Sequence, residues 1–101
     1  MQFGLSTTEE IAQEFGNRVR AHRLAANLQQ SELAARAGVS ERALRNFERS
    51  GRGTFDLFLR LAMALGLSDS MSNLFELRPK SIKDMEQAEQ RRQRASRRQS
   101  T

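Results

Sequence analysis

Apolar positions in this chain recur at helical spacing. Ile11, Phe15, Val19 and His22 stand at i, i+4, i+8 and i+11, with Leu24 following, which predicts one long amphipathic helix up to Ala26. Thr7 and Glu10 have the spacing of a capping box, so Thr7-Thr8-Glu9-Glu10 reads as its start. Asn27 tolerates the left-handed backbone that ends a helix and turns the chain into the next. That next helix runs from about Gln30 to Ala37, with Leu33, Ala34 and Ala37 facing inward. Gly38 sits where a tight turn needs positive φ, Val39 plugs the core, and Ser40 is a good N-cap for a third helix over about 41–50.

In this third helix Leu44 and Phe47 face one way, and Arg42, Arg45 and Arg49 the other. Ser50-Gly51-Arg52-Gly53 reads as a loop. Thr54 caps a fourth helix whose Phe55, Phe58, Leu59, Ala62, Met63 and Leu65 form the densest apolar stripe, stopped by Gly66. Ser68 and Asp69 start a short fifth helix bearing Met71, Leu74 and Phe75, and Pro79 marks a boundary. Ser81 to Asp84 caps a weak helix with Ile82, Met85 and Ala88 on one side. Beyond Gln90 no apolar anchor remains, so that stretch alone is expected to be disordered.

Composition agrees with an all-α fold. There is no Tyr or Trp and Val occurs only at 19 and 39, whereas Leu, Ala, Arg, Gln and Glu dominate. A chain of 101 residues holds one domain with a modest core. The absence of cysteine excludes disulfides and thiolate metal sites and suits a reducing cytoplasm. No apolar run approaches the ~20 residues of a membrane span, and the N-terminus has no signal-peptide pattern.

The net charge of +5 is uneven. Residues 16–52 and 78–101 are each strongly basic, whereas 1–15 and 53–77 are acidic. Two basic blocks suit a polyanionic partner as well as they suit a solvated surface. The arrangement around Gly38-Val39-Ser40 decides between them. Two short amphipathic helices hinged there, the second with arginines on its outer side, form the layout of a helix-turn-helix, in which the second helix enters the major groove of DNA.

The stretch from about Gly16 to Phe75 resembles the Xre family, the helix-turn-helix group that includes the lambdoid phage repressors and Cro. The likeness rests on Arg23 late in the first helix, Gln30-x-Glu32-Leu33-Ala34 in the second, Gly38-Val39-Ser40, Glu48, and Leu61-Ala62-x-Ala64-Leu65-Gly66 in the fourth. It implies a five-helix lambda-repressor-like domain over 9–77, an N-terminal arm over 1–8 and a basic, largely disordered C-terminal tail over 78–101. It also implies that Glu41, Arg42, Ala43 and Asn46 read base edges. Arg pairs with the O6 and N7 of guanine, and Asn with N6 and N7 of adenine. Glu41 either accepts from cytosine N4 or only complements the helix N-terminus.

Arg20, Gln29, Gln30, Arg45, Arg49 and Arg52 fall where the resemblance implies phosphate contacts, although Arg36 and Arg45 also read as plain solvated residues. Gln30 matches the family glutamine that also supports the recognition helix. Arg23 and Glu48 match an internal ion pair between the first and third helices. One departure stands out: Glu48-Arg49-Ser50-Gly51-Arg52-Gly53 is one residue longer than the common family pattern, which alters the loop expected to clamp phosphate.

Met71, Leu74, Phe75 and Leu77 exceed what a terminal surface helix needs; part of the set closes the core over the fourth helix, and the surplus is the expected homodimer face. A dimer implies a palindromic operator in double-stranded DNA. The Arg-rich extension is similar to that of HipB-type antitoxins, which implies a HipA-like kinase toxin as a second partner. A stand-alone Xre-type regulator, and a protein-interaction module that does not read DNA, remain the alternatives. No metal, cofactor or membrane partner is implied: His22, the sole histidine, has no second ligand at metal spacing and reads as a surface residue, and no nucleophile–base pair marks an enzyme. No aromatic platform for RNA is present.

Overall fold

A computed structural model describes residues 2–77 and 82–99, with side chains described over 2–77 and 85–95. Among these residues the chain forms helices and turns only: α1 Thr8–Ala25, α2 Gln30–Ala37, α3 Glu41–Ser50, α4 Phe55–Ala64, α5 Ser68–Met71 and α6 Ile82–Gln99.

The starts of the helices follow local chemistry. Thr7 accepts from the Glu10 N–H at 3.1 Å while the Glu10 carboxylate accepts from the Thr7 N–H at 3.2 Å, closing the expected capping box. The Glu9 carboxyl is held below the usual range by its backbone hydrogen bond and by the Thr8 hydroxyl, an arrangement suited to the positive end of α1. Ser40 and Thr54 cap α3 and α4 by accepting from Ala43 and Leu57 N–H groups. The ends follow too. Asn27 adopts φ 57°, and Gly38 adopts φ 69° with the Val39 N–H donating to Ala34 at 3.0 Å.

The core lies where α1, α2, α3 and α4 converge, with Leu33, Leu44 and Leu61 fully buried and Val19, Phe47 and Leu57 around them. Its phase on α4 differs from the sequence expectation. Leu57, Leu61 and Ala62 are buried, whereas Phe55 and Met63 are largely exposed. This helix is apolar on nearly every side, so periodicity alone cannot choose the buried face. On α1 the inward face passes through Arg23, and His22 and Leu24 are exposed.

Rings link the N-terminal segment to this core. Phe3 meets Phe15 at 5.8 Å, Phe15 meets Phe58 at 5.7 Å, and Phe58 meets Phe47 at 5.9 Å. Arg18, paired with Glu14, lies over the Phe3 and Phe15 rings.

Two other expectations need correction. The fifth helix stops at Met71, so Leu74 and Phe75 lie beyond it. Phe75 takes φ 60°, a left-handed conformation that redirects the chain. None of Met71, Leu74, Phe75 and Leu77 closes the core: Met71 is half-buried and the others are exposed. In the tail, the weak helix expected near 82–88 continues to Gln99. Its described side chains, 85–95, are all exposed, so helix propensity and charge placement support it rather than burial. Pro79 and Arg78 fall outside the described residues.

α1 and α3 approach closely through glycine. A Cβ on Gly16 would collide with the Phe47 carbonyl, and one on Gly51 with the Ala12 backbone. Gly51 also holds φ 73° as the C-cap of α3. Gly66 has a similar φ of 74° but open space around it. Gly66→Ala is therefore expected to cost about 1–2 kcal/mol from its backbone alone, and Gly51→Ala to cost about 1–3 kcal/mol more from overpacking. Urea unfolding of the two variants measures the gap; equal midpoints would contradict the close approach.

Candidate nucleic-acid interface

The position of α3 is set by a buried polar cluster behind it. The Arg23 guanidinium donates to Glu48 twice, from Nε at 2.7 Å and Nη2 at 3.0 Å, and from Nη1 to the Leu28 carbonyl at 2.9 Å. Gln30 Nε2 adds a third donor to the Glu48 carboxylate at 3.2 Å. Both charged side chains are almost fully buried, and among the described residues no buried side-chain polar atom lacks a partner. Hydrogen bonding to Glu48 raises the Arg23 pKa above its already high ordinary value, so the guanidinium stays charged.

The expected ion pair thus forms, and Gln30 belongs to it. Gln30 was expected both to contact phosphate and to support the recognition helix; one of its amide hydrogens bonds Glu48 of α3, in line with the supporting role. The role of the Leu28 carbonyl had no signal in the residue types, because any residue supplies a carbonyl.

With Leu44, Phe47 and Glu48 buried, the opposite side of α3 is open. Arg42, Asn46 and Arg49 line it at i, i+4 and i+7. Among the described residues Arg42 makes no hydrogen bond or ion pair, leaving its guanidinium available. Arg49 Nη2 donates to Asn46 Oδ1 at 3.4 Å, and Arg45 pairs with Glu41 at 3.3 Å along the exposed side. Ala43 is half-buried against the core, so only its outer edge faces solvent.

The other residues expected to contact phosphate lie on several elements. Arg20 and Gln29 are exposed on α1 and at the α2 N-cap, where the Gln29 N–H donates to Glu32. Arg52 lies in the loop after α3, near Glu9 and beside a groove between α3 and the start of α4. Gly38, Ala43, Asn46, Thr54 and Arg60 also line that groove. Arg60, not singled out from the sequence, pairs with Asp56 at 2.7 Å; their i, i+4 spacing was the available signal.

A helix-turn-helix domain model matches residues 14–75, more than half the chain. No curated protein matches the chain. Among the described residues no group of three or more His, Asp or Glu side chains could hold a metal ion, and no helix is long and apolar enough to cross a membrane.

Burial makes the Arg23–Glu48 pair asymmetric. Glu48→Leu alone is expected to destabilise the protein by about 3–5 kcal/mol, because it strands the guanidinium. The double replacement Arg23→Met, Glu48→Leu should recover most of that loss. Chemical denaturation of the full cycle measures both; a double variant as unstable as the single one would contradict this account.

Proposed function

The chain belongs to the helix-turn-helix domain family, and from that premise we propose that it is a sequence-specific DNA-binding repressor of transcription that binds a palindromic operator as a homodimer. The observation that carries this reading is the outer face of α3. Arg42 and Arg49 are exposed and Asn46 is half-buried on the side of α3 away from the core, while Arg23, Glu48 and Gln30 hold the helix from behind.

In this mechanism α3 enters the major groove. Arg42 donates its paired N–H groups to guanine, and Asn46 bonds adenine once Arg49 turns from it toward phosphate. Glu41 and Ala43 flank them at the groove floor. Arg20, Gln29, Gln30, Arg45, Arg49 and Arg52 hold the sugar–phosphate chains on either side and set the register without reading sequence. The domain doing this work spans 9–77, between an arm at 1–8 and the tail at 78–101.

Leu74, Phe75 and Leu77, with Met71 beside them, supply the surface proposed for the dimer. Twofold symmetry through that surface sets two copies of α3 about 34 Å apart, one turn of DNA. The chain acts in the cytoplasm in this reading, without a cofactor and without catalysis.

A second reading, the antitoxin of a HipBA-type pair, draws its support from the same exposed apolar residues and the appended α6. It adds a toxin as a partner, and a stable complex with the product of the adjacent gene would favour it over a stand-alone regulator.

Binding to duplexes enriched by in vitro selection tests the main reading. Arg42→Ala is expected to weaken binding to the selected duplex by about 1–3 kcal/mol, or roughly 5- to 150-fold, and to relax preference at one base pair. Arg36→Ala, on the exposed side of α2, should leave that preference unchanged. If no sequence is enriched, or if Arg42→Ala changes nothing, the proposal fails and a protein-interaction role takes its place.

A further inference from the structure

The sequence pattern around α6 is divided by charge. Asp84, Glu86 and Glu89 lie in its first half, and Arg91, Arg92, Arg94, Arg97 and Arg98 in its second, with no acid after Glu89. Acid near the N-terminus and base near the C-terminus both oppose the helix dipole, which favours this helix without a packed face. Arg91 and Arg94 stand at i and i+3, so they share one side. Arg92 pairs with Glu89 at 3.0 Å, and the Arg91 and Arg94 side chains are exposed.

We propose that the second half of α6 is an additional DNA-contacting element, which binds the phosphates flanking the site read by α3. This rests on the DNA-binding reading above and adds a second surface to it.

Charge complementarity selects the partner. Five arginines within eight residues form a dense set of planar forks, each able to hold phosphate oxygens in pairs. A membrane surface would demand a broad apolar face with bulky anchors, and α6 has only Ile82, Met85, Ala88 and Ala95. The helix carries no aromatic residue for stacking on single-stranded bases. Its length also fits: the eight residues from Arg91 to Arg98 span roughly 12 Å at about 1.5 Å each. That covers about 3–4 base pairs at about 3.4 Å each. Contacts of this kind carry no base preference; they add affinity, salt dependence and footprint length.

The test uses the full chain, the variant with Arg91, Arg92, Arg94, Arg97 and Arg98 all changed to Gln, and Arg42→Ala. Glutamine keeps a helix propensity close to arginine's, and circular dichroism checks that helicity is retained. Each protein is titrated at several salt concentrations against the bare selected duplex, the same duplex with flanks of about one turn, and a mixed-sequence duplex. The full chain is expected to bind the flanked duplex at least tenfold more tightly than the bare one. The five-glutamine variant should lose that advantage and keep its sequence preference. Its salt slope should flatten by about 4–5, at about 0.9 for each phosphate contact removed.

A flank advantage or salt slope unchanged in that variant would overturn the proposal. So would tighter binding of the full chain to vesicles of equal phosphatidylcholine and phosphatidylglycerol than to the mixed duplex. The mixed duplex separates the two readings. Binding there that falls in the five-glutamine variant but not in Arg42→Ala supports the α6 contact even if α3 proves not to read sequence.

Discussion

The ion pair between Arg23 and Glu48 is the constraint on which the rest of the arrangement depends. A guanidinium and a carboxylate cannot be buried at this depth unless each is met by the other in good geometry. The two meet in bidentate fashion, and the Leu28 carbonyl and Gln30 amide take up further hydrogen-bonding capacity. Satisfying them together fixes the rotation of α3 about its axis and its position along α1. A slip by one residue would leave a charge unpaired. The glycine contacts act on the same pair of helices: Gly16 and Gly51 bring the backbones so near that a methyl group has no room. Polar matching therefore sets register and glycine sets distance.

The consequence lies on the other side of the helix. With Glu48 and Phe47 pinned inward, Arg42, Asn46 and Arg49 must point outward. This divides α3 into a back that determines geometry and a front whose side chains are free to meet a ligand. The front carries few internal bonds: a long contact between Arg49 and Asn46, and the exposed Arg45–Glu41 pair, which in water is worth at most about 1 kcal/mol. Such bonds exchange readily for contacts to a nucleic acid. A rigid scaffold beneath an adaptable surface is the arrangement that base recognition requires.

Much of this was legible in the chain. Thr7, Ser40 and Thr54 announce helix starts because a side-chain oxygen there has a local use that does not depend on the rest of the fold. Gly38 announces the turn for a similar reason. Where the signal depended on which side of a helix is buried, it weakened. α4 is apolar almost all round, so the stripe through Phe55 and Met63 looked as good as the true one through Leu57 and Leu61. Apolar periodicity is also blind to a buried arginine; only family resemblance placed Arg23 inside. α5 gives way to turns after Met71, ahead of the left-handed Phe75, whose conformation no propensity for an aromatic residue foretells. The length of α6 went unseen because expectations weighed burial and overlooked charges arranged along the helix axis.

The central claim is that the outer face of α3 is the surface that meets DNA. Amide chemical-shift mapping of the full chain, titrated with a selected duplex, tests it without altering any residue. The account predicts the largest shifts at Glu41 to Asn46 and in the loop through Arg52, with small changes at buried Leu33 and Leu61. Shifts confined to exposed Phe55, Met63 and the 74–77 segment, with α3 unmoved, would contradict it.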